Sequence, residues 1–327
     1  MKSRKLRTLE VSSIGYGSMG LSQGYGSVPE RKESIELLHN TYDLGCTFFD
    51  TAEAYAMGAN EELLGEALAG FRNEVSIASK FWIQDSIENY SAEKLMGVIR
   101  NKIEGSLKRL KTDHIELYYQ HRVNKDIPVE DIAWCMGELI REGKILGWGQ
   151  SQATEEEIRK AHAVTPITAI QSEYSIMARQ FEKNVIPTCG ELGIGFVAFS
   201  PLANGFLSGQ VNADTSFTGI DARRVITRFQ KDNILANQPL LDLLHGFATT
   251  KEATPAQISL AWMLHKNDFI VPIPGSRNLK RIRENIESSD IVLTEDEFKQ
   301  IETALATIQV HGDRKDEDLA KLRTLKD

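Results

Sequence analysis

Val75-Ser-Ile-Ala-Ser79 and Ile115-Glu-Leu-Tyr-Tyr119 flank the segment Lys94–Lys111, whose Leu95, Ile99, Ile103, Leu107 and Leu110 fall close to four residues apart. Apolar residues at that spacing form one stripe along a helix. The flanking runs are short and nearly continuously apolar, as a strand covered on both faces must be. The reading is strand, helix, strand, the repeating unit of a parallel α/β protein.

The same unit recurs in both directions. Further strands are expected near Ser13–Gly17, Thr47–Asp50, Gly147–Gln150, Thr168–Gln171, Gly195–Phe199 and Phe269–Ile273. Between them stand helix-start signals. Ser27-Val-Pro-Glu30, Thr154-Glu-Glu-Glu157 and Thr294-Glu-Asp-Glu297 have capping-box spacing, and Thr254-Pro-Ala-Gln257 adds proline at the first helical position. Gly45, Gly70, Gly143 and Gly193 are placed as helix stops. About eight alternations fit a closed (β/α)8 TIM barrel or an open doubly wound sheet, and the count favours the barrel. No proline- or serine-rich linker divides the chain, so a single domain over residues 1–327 is expected. The stretch 203–238 reads as a long functional or mobile loop, and the polar tail after His311 as a segment that covers a pocket or frays.

The 327 residues are 41% hydrophobic and 26% charged, which fits a globular chain with a large core and not a disordered one. Acidic side chains number 46 against 38 basic, a net charge of −8. That balance opposes a nucleic-acid or anionic-membrane binder. The basic start (Lys2, Arg4, Lys5, Arg7) is read as a solvated terminus. No apolar run approaches the roughly 18 residues of a membrane span, and no secretory signal is expected. Cys46, Cys135 and Cys189 are odd in number and far apart, which suits unpaired thiols in a reducing cytoplasm. Without a His-Glu-x-x-His motif, an EF-hand loop or a Cys/His cluster, no protein-bound metal is expected.

Gly15-Tyr-Gly17-Ser-Met-Gly20 matches G-x-G-x-x-G literally. In a dinucleotide fold those glycines open a helix that holds a pyrophosphate. Here Gly24, Gly26 and Pro29 follow, and the helix signal begins only near Ser27. A strand ending in a glycine-rich loop is the better reading.

Polar residues stand just past the ends of successive strands: Asp50, Lys80, His121, Gln171 and Ser200. In a barrel those ends share one face, where such folds place their sites. Tyr55, five residues after Asp50, can return over that face. Alone, each has a plain structural reading as a cap, a surface lysine or a packed aromatic.

Taken together the blocks resemble the aldo-keto reductases. They are Phe49-Asp50-Thr51-Ala52-Glu53-Ala54-Tyr55 with Asn60-Glu61-Glu62-Leu63-Leu64-Gly65, then Ala78-Ser79-Lys80, Tyr119-Gln120-His121-Arg122, Gln171-Ser172-Glu173-Tyr174-Ser175, Phe199-Ser200-Pro201-Leu202 and Ile273-Pro274-Gly275-Ser276-Arg277. The subgroup it resembles includes bacterial, plant and yeast enzymes related to potassium-channel β-subunits. The resemblance implies an eight-stranded β/α barrel, reduction of small-molecule aldehydes or ketones with NADPH, and a catalytic tetrad of Asp50, Tyr55, Lys80 and His121. It implies cofactor contacts from Gly17, Ser18, Met19 and Asp50, from Ser151 and Gln171 to the carboxamide, and from Tyr174 stacked on nicotinamide. Ser200, Pro201, Leu202 and Leu207 would lie over the pyrophosphate. Gly275, Ser276, Arg277 and Arg281 would hold the 2′-phosphate, with Glu284 and Asn285 near the adenine.

The chemistry asks for these residue types. A phenol with a pKa near 10 is a poor acid at neutral pH. One charge at about 4 Å, in an effective dielectric of about 20, contributes roughly 4 kcal/mol, so Lys80 would move Tyr55 toward neutrality. Two other classes remain: a lyase or aldolase with Lys80 as Schiff base, against which Asp50 speaks, and a cofactor-sensing binding subunit. Substrate identity and oligomeric state are not legible.

Overall fold

The computed structural model describes residues 1–321. A hairpin of β1 (Ser3–Leu6) and β2 (Leu9–Ser12) precedes eight strands: β3 (Tyr16–Gly17), β4 (Phe48–Asp50), β5 (Ser76–Phe81), β6 (Leu117–Gln120), β7 (Trp148–Ser151), β8 (Ala169–Glu173), β9 (Gly195–Phe199) and β10 (Ile270–Pro272). From β3 to β10 every neighbouring pair is parallel and in chain order. The helices are α1 (Arg31–Asp43), α2 (Ala59–Ala67), α3 (Ala92–Leu110), α4 (Val129–Arg141), α5 (Glu155–Val164), α6 (Val185–Leu192), α7 (Lys231–Ala236), α8 (Gln238–Thr250), α9 (Pro255–Lys266), α10 (Leu279–Glu287), α11 (Glu295–Thr307) and α12 (Asp316–Lys321). The architecture is a (β/α)8 barrel, and all eight expected strands are present. No helix among the described residues is long and apolar enough to cross a membrane.

The ring closes where the first barrel strand meets the last. The Gly15 N–H donates to the Pro272 carbonyl at 2.9 Å. A Cβ on Gly15 would come within 2.6 Å of the Phe48 ring, and one on Gly17 within 2.7 Å of the Ile273 oxygen. These glycines allow the seam to form. After Gly17 come a single 3-10 turn (Met19–Leu21) and a loop, and the first α-helix begins only at Arg31. The dinucleotide motif is therefore absent in form.

Period-two alternation divides each strand between two cores. Phe48, Ala78, Leu117, Tyr119, Ala169, Val197, Val271 and Ile273 fill the barrel. Phe49, Ile77, Tyr118, Trp148, Ile170, Phe196 and Ile270 face the helices. The stripe Leu95, Ile99, Ile103, Leu107 and Leu110 is buried on α3 as its spacing requires.

Several expectations change. The basic start is solvated at Lys2, Lys5 and Arg7 but not at Arg4. Leu6 and Val11 of the hairpin pack into the barrel cluster, and the Arg4 guanidinium donates to the carbonyls of Asn267 at 2.6 Å, Ile270 at 2.7 Å and Leu264. Alternation of Arg4 and Leu6 with exposed Ser3 and Lys5 is the strand signal that charge obscured. Capping boxes form at Thr154, Thr254 and Thr294. At Ser27 none forms, because α1 starts later, with Glu30 as N-cap. Gly45, Gly143 and Gly193 take positive φ after helices, whereas Gly70 lies within a 3-10 stretch.

The 203–238 loop is built from 3-10 turns at Ala203–Ser208, Ala222–Arg224 and Thr227–Phe229, followed by α7. Its Ala222 N–H reaches the Gly24 carbonyl at 2.9 Å. The tail, as far as residue 321, is anchored rather than frayed: Asn237 exchanges two hydrogen bonds with His311, and Arg122 bonds Asp316 at 3.0 Å. The remainder of the expected tail lies outside the described residues. Replacing Arg4 by Met should cost about 2 kcal/mol through three unfilled carbonyls. Thermal unfolding followed by circular dichroism checks this, and an unchanged Tm would return Arg4 to solvent.

Candidate active site

Interior-facing parity continues past the packed layers to the mouth of the barrel. Two residues beyond Phe48 is Asp50, beyond Ala78 is Lys80, beyond Tyr119 is His121, and beyond Ala169 is Gln171. The alternation that fills the barrel therefore sets these side chains on one face.

Lys80 is fully buried. An ammonium has three hydrogens, and each has an acceptor: Asp50 Oδ1 at 2.5 Å, the Thr51 carbonyl at 2.7 Å and the Tyr55 hydroxyl at 3.3 Å. The second Asp50 oxygen accepts from Gln171 Nε2 at 2.7 Å. Burial alone would lower the Lys80 pKa, but the Asp50 charge and the hydrogen bonds to Asp50 and Tyr55 raise it above its ordinary value. Burial also raises the Asp50 pKa, against the Lys80 charge and the hydrogen bonds from Lys80 and Gln171; three acceptors around Lys80 favour the ammonium facing a carboxylate.

Tyr55 lies at the rim, partly exposed, with its ring perpendicular to that of His121 at 6.0 Å between centroids. Its oxygen accepts from Lys80, which leaves its own hydrogen free to point elsewhere. Burial raises the phenol's pKa by more than Lys80 lowers it. The expected shift toward neutrality does not occur, because desolvation opposes the phenolate that Lys80 would favour. His121 is pushed well below 6.5 by burial, then by the Lys80 and Arg122 charges. It is a neutral imidazole, and its buried Nδ1 has no protein partner. The Trp82 ring lies 5.5 Å from it.

The Asn60-Glu61 block braces this arrangement. Asn60 Oδ1 accepts from Ser18 at 2.5 Å and Thr51 at 2.6 Å, while its Nδ2 donates to the Ser18 carbonyl and to Ser22. Buried Glu61 accepts from Ser79 at 2.5 Å and Arg109 at 2.6 Å. The loops after β3 and β4 are thereby tied to α2.

Of the expected cofactor residues, Ser151 and Gln171 are directly paired across β7 and β8. Ser151 Oγ also accepts from Arg122 at 3.3 Å. Met19 is half-buried, and Gly17 sits at the seam beside Gly275. Ser200, Ala203, Asn204 and Gly205 have φ of 49°, 50°, 59° and 96°, with Pro201 and Leu202 between. Ser276, Arg277 and Arg281 gather at the N-terminus of α10, which is capped by Asn278. Arg277 donates to the carbonyls of Tyr25, at 2.6 Å, and Ser27.

Five of the expected cofactor residues are buried or already hydrogen-bonded. Tyr174 is fully buried against Phe196 and Trp262, with its hydroxyl on Glu182 at 2.6 Å. Its parity points to the helices, so it cannot stack on a ligand in the mouth. The aromatic with interior parity is Phe199, paired with Glu173 and partly exposed. Ser18 is buried with its hydroxyl occupied by Asn60 and the Asp50 carbonyl. Leu207 and Asn285 are buried, and Glu284 accepts from Thr254 at 2.6 Å. Sequence reading also missed Arg228, buried and bonded to Glu173 at 3.0 Å. Strand parity was the available signal for Phe199; nothing local marked Arg228.

The model of the aldo/keto reductase family matches residues 13–306. A probable aldo-keto reductase from Glycine max is 38% identical over 93% of this chain and 88% of its own length. The Klebsiella pneumoniae aldo-keto reductase solved in complex with NADPH is 26% identical, with a TM-score of 0.72 over 93% of this chain and 95% of that one. The glycerol dehydrogenase of Gluconobacter oxydans, 24% identical, superposes with a TM-score of 0.84 over 94% and 96% and speaks for the fold.

The His121 shift has a thermodynamic sign. A histidine held neutral in the folded state costs stability as pH falls below 6.5, because the unfolded chain takes up a proton that the folded one refuses. His121→Gln should lose less stability than the parent between pH 7 and about pH 5. Denaturant unfolding at both pH values measures this, and equal losses would contradict a neutral buried imidazole.

Proposed function

The chain belongs to the aldo/keto reductase family, and on that premise we propose that it reduces aldehydes or ketones to alcohols with NADPH as reductant. The observation that carries this reading is the buried Lys80 ammonium, in hydrogen-bond contact with both Asp50 and the Tyr55 hydroxyl.

Several features fit a dinucleotide phosphate. At the α10 N-terminus the Arg277 and Arg281 guanidiniums add charge, and the first amides of the helix add donors, in an otherwise acidic protein. Ser151 and Gln171 would hold the carboxamide, Phe199 would meet the ring in place of Tyr174, and Ser200–Leu202 would follow the pyrophosphate. Ser276, Arg277 and Arg281 would take the 2′-phosphate, which favours NADPH over NADH. When bound, the cofactor supplies the hydride that no side chain can.

The protein's own groups handle the proton. Hydride arrival at a carbonyl carbon places negative charge on its oxygen. Tyr55 gives its phenolic hydrogen to that oxygen, and the electrons of the broken O–H bond stay on Tyr55. The Lys80 hydrogen bond already directed at the phenol oxygen stabilises the phenolate. Asp50, steadied by Gln171, keeps Lys80 charged. A raised phenol pKa suits this role, because Tyr55 stays protonated until the much more basic alkoxide forms. Neutral His121 orients the carbonyl by donating a hydrogen bond.

A Schiff-base role for Lys80 is disfavoured, since a nucleophilic amine must be neutral and Lys80 is charged with three acceptors. Turnover of 4-nitrobenzaldehyde should proceed with NADPH, more slowly with NADH, and should fall by at least about a hundredfold in Tyr55→Phe while NADPH binding persists. Normal turnover in that variant would refute the assignment.

A further inference from the structure

The residues directly after Tyr55 adopt a backbone that their side chains disfavour. Ala56 has φ 48° and ψ 45°, and Met57 has φ 52° and ψ 41°. Both lie in the left-handed region, which crowds a Cβ and is rare in consecutive non-glycine residues. Gly58 follows at φ 92°, where a Cβ would lie 2.6 Å from the Arg109 Cδ. Met57 is 88% exposed, so no burial of its side chain favours the conformation.

The two ends of this turn are fixed. On one side the Thr51 N–H bonds the Ala78 carbonyl and the Glu53 N–H bonds the Lys80 carbonyl. On the other, Asn60 and Glu61 clamp the start of α2. Between them, the Ala56 N–H donates to Gln23 Oε1 at 2.8 Å. Gln23 comes from the loop after β3, the stretch that follows the failed dinucleotide motif.

We propose that Gln23 is a positioning residue for proton transfer: by accepting the Ala56 N–H it holds the left-handed turn that aims the Tyr55 hydroxyl at the carbonyl oxygen. This rests on Tyr55 being the proton donor. If Gln23 releases Ala56, that residue relaxes toward its preferred backbone region, and Tyr55, one bond upstream, turns with it. Small misplacement of a reacting group is costly, because the transfer depends on its near-attack geometry.

The test uses the full chain. Gln23→Met keeps the side chain's length and removes the acceptor, Gln23→Glu retains an acceptor oxygen, and Ala56→Gly removes the steric penalty of the turn. In Gln23→Met, kcat for 4-nitrobenzaldehyde should fall about tenfold with NADPH dissociation unchanged, and the solvent deuterium isotope effect on kcat should rise as proton transfer becomes slower. Gln23→Glu should keep near-parental kcat, and the double variant Gln23→Met/Ala56→Gly should recover most of the loss. Parental kcat in Gln23→Met overturns the proposal. So does a loss accompanied by weaker NADPH binding, or one that the added glycine does not repair. Failure of the Tyr55 assignment would show separately, as normal turnover in Tyr55→Phe.

Discussion

Lys80 carries a charge into a place with no exposure to water, and that is affordable only with complete compensation. An isolated ammonium in such a site would lose its proton. Here a carboxylate, a main-chain carbonyl and a phenol take its three hydrogens. Each partner is held in turn: Asp50 by Gln171, Thr51 by Asn60, and Tyr55 by the turn that Gln23 supports. The site is therefore a continuous polar network, and removing any member leaves another unsatisfied. This ties chemistry to stability, since the groups proposed to move a proton are also those that make the barrel mouth tolerable to fold.

The barrel supplies the geometry for that network. Side chains of alternate residues fill the interior in layers, apolar at depth and polar at the top. Phe48, Ala78, Leu117 and Ala169 form part of the dry floor, and the next residues of the same parity bring Asp50, Lys80 and Gln171 together. The basic-looking hairpin packs Leu6 and Val11 into the same apolar cluster. A low-dielectric floor strengthens the interaction of Lys80 with its partners. The same burial holds His121 neutral and keeps Tyr55 protonated.

The eight barrel strands were legible because nearly continuous apolar runs alternate with helical stripes, and glycine and capping signals separate them. The candidate site could be read because strand ends carry polar residues in an ordered set, and the structure brings Asp50, Tyr55, Lys80 and Gln171 together. What escaped had physical causes. The hairpin is short and charged, so its alternation was hidden. Ser27 has the spacing of a cap without the helix beginning there. Tyr174 lies within a matching block, but its strand parity turns it outward, and Phe199 holds the inward position. The phenol's shift came out opposite in sign because Coulomb attraction is visible in a sequence while desolvation depends on burial. The Arg228–Glu173 pair joins residues far apart in the chain, with no local pattern to announce it.

The most direct measurement on the central ion pair is a single-turnover experiment on Lys80→Met, with NADPH oxidation followed at saturating aldehyde. Without the ammonium, the phenolate has no stabilising partner. The hydride-transfer rate should be at least about a hundredfold lower, with NADPH dissociation close to that of the parent chain. A rate equal to the parent's, with the variant folded and binding NADPH, would contradict it.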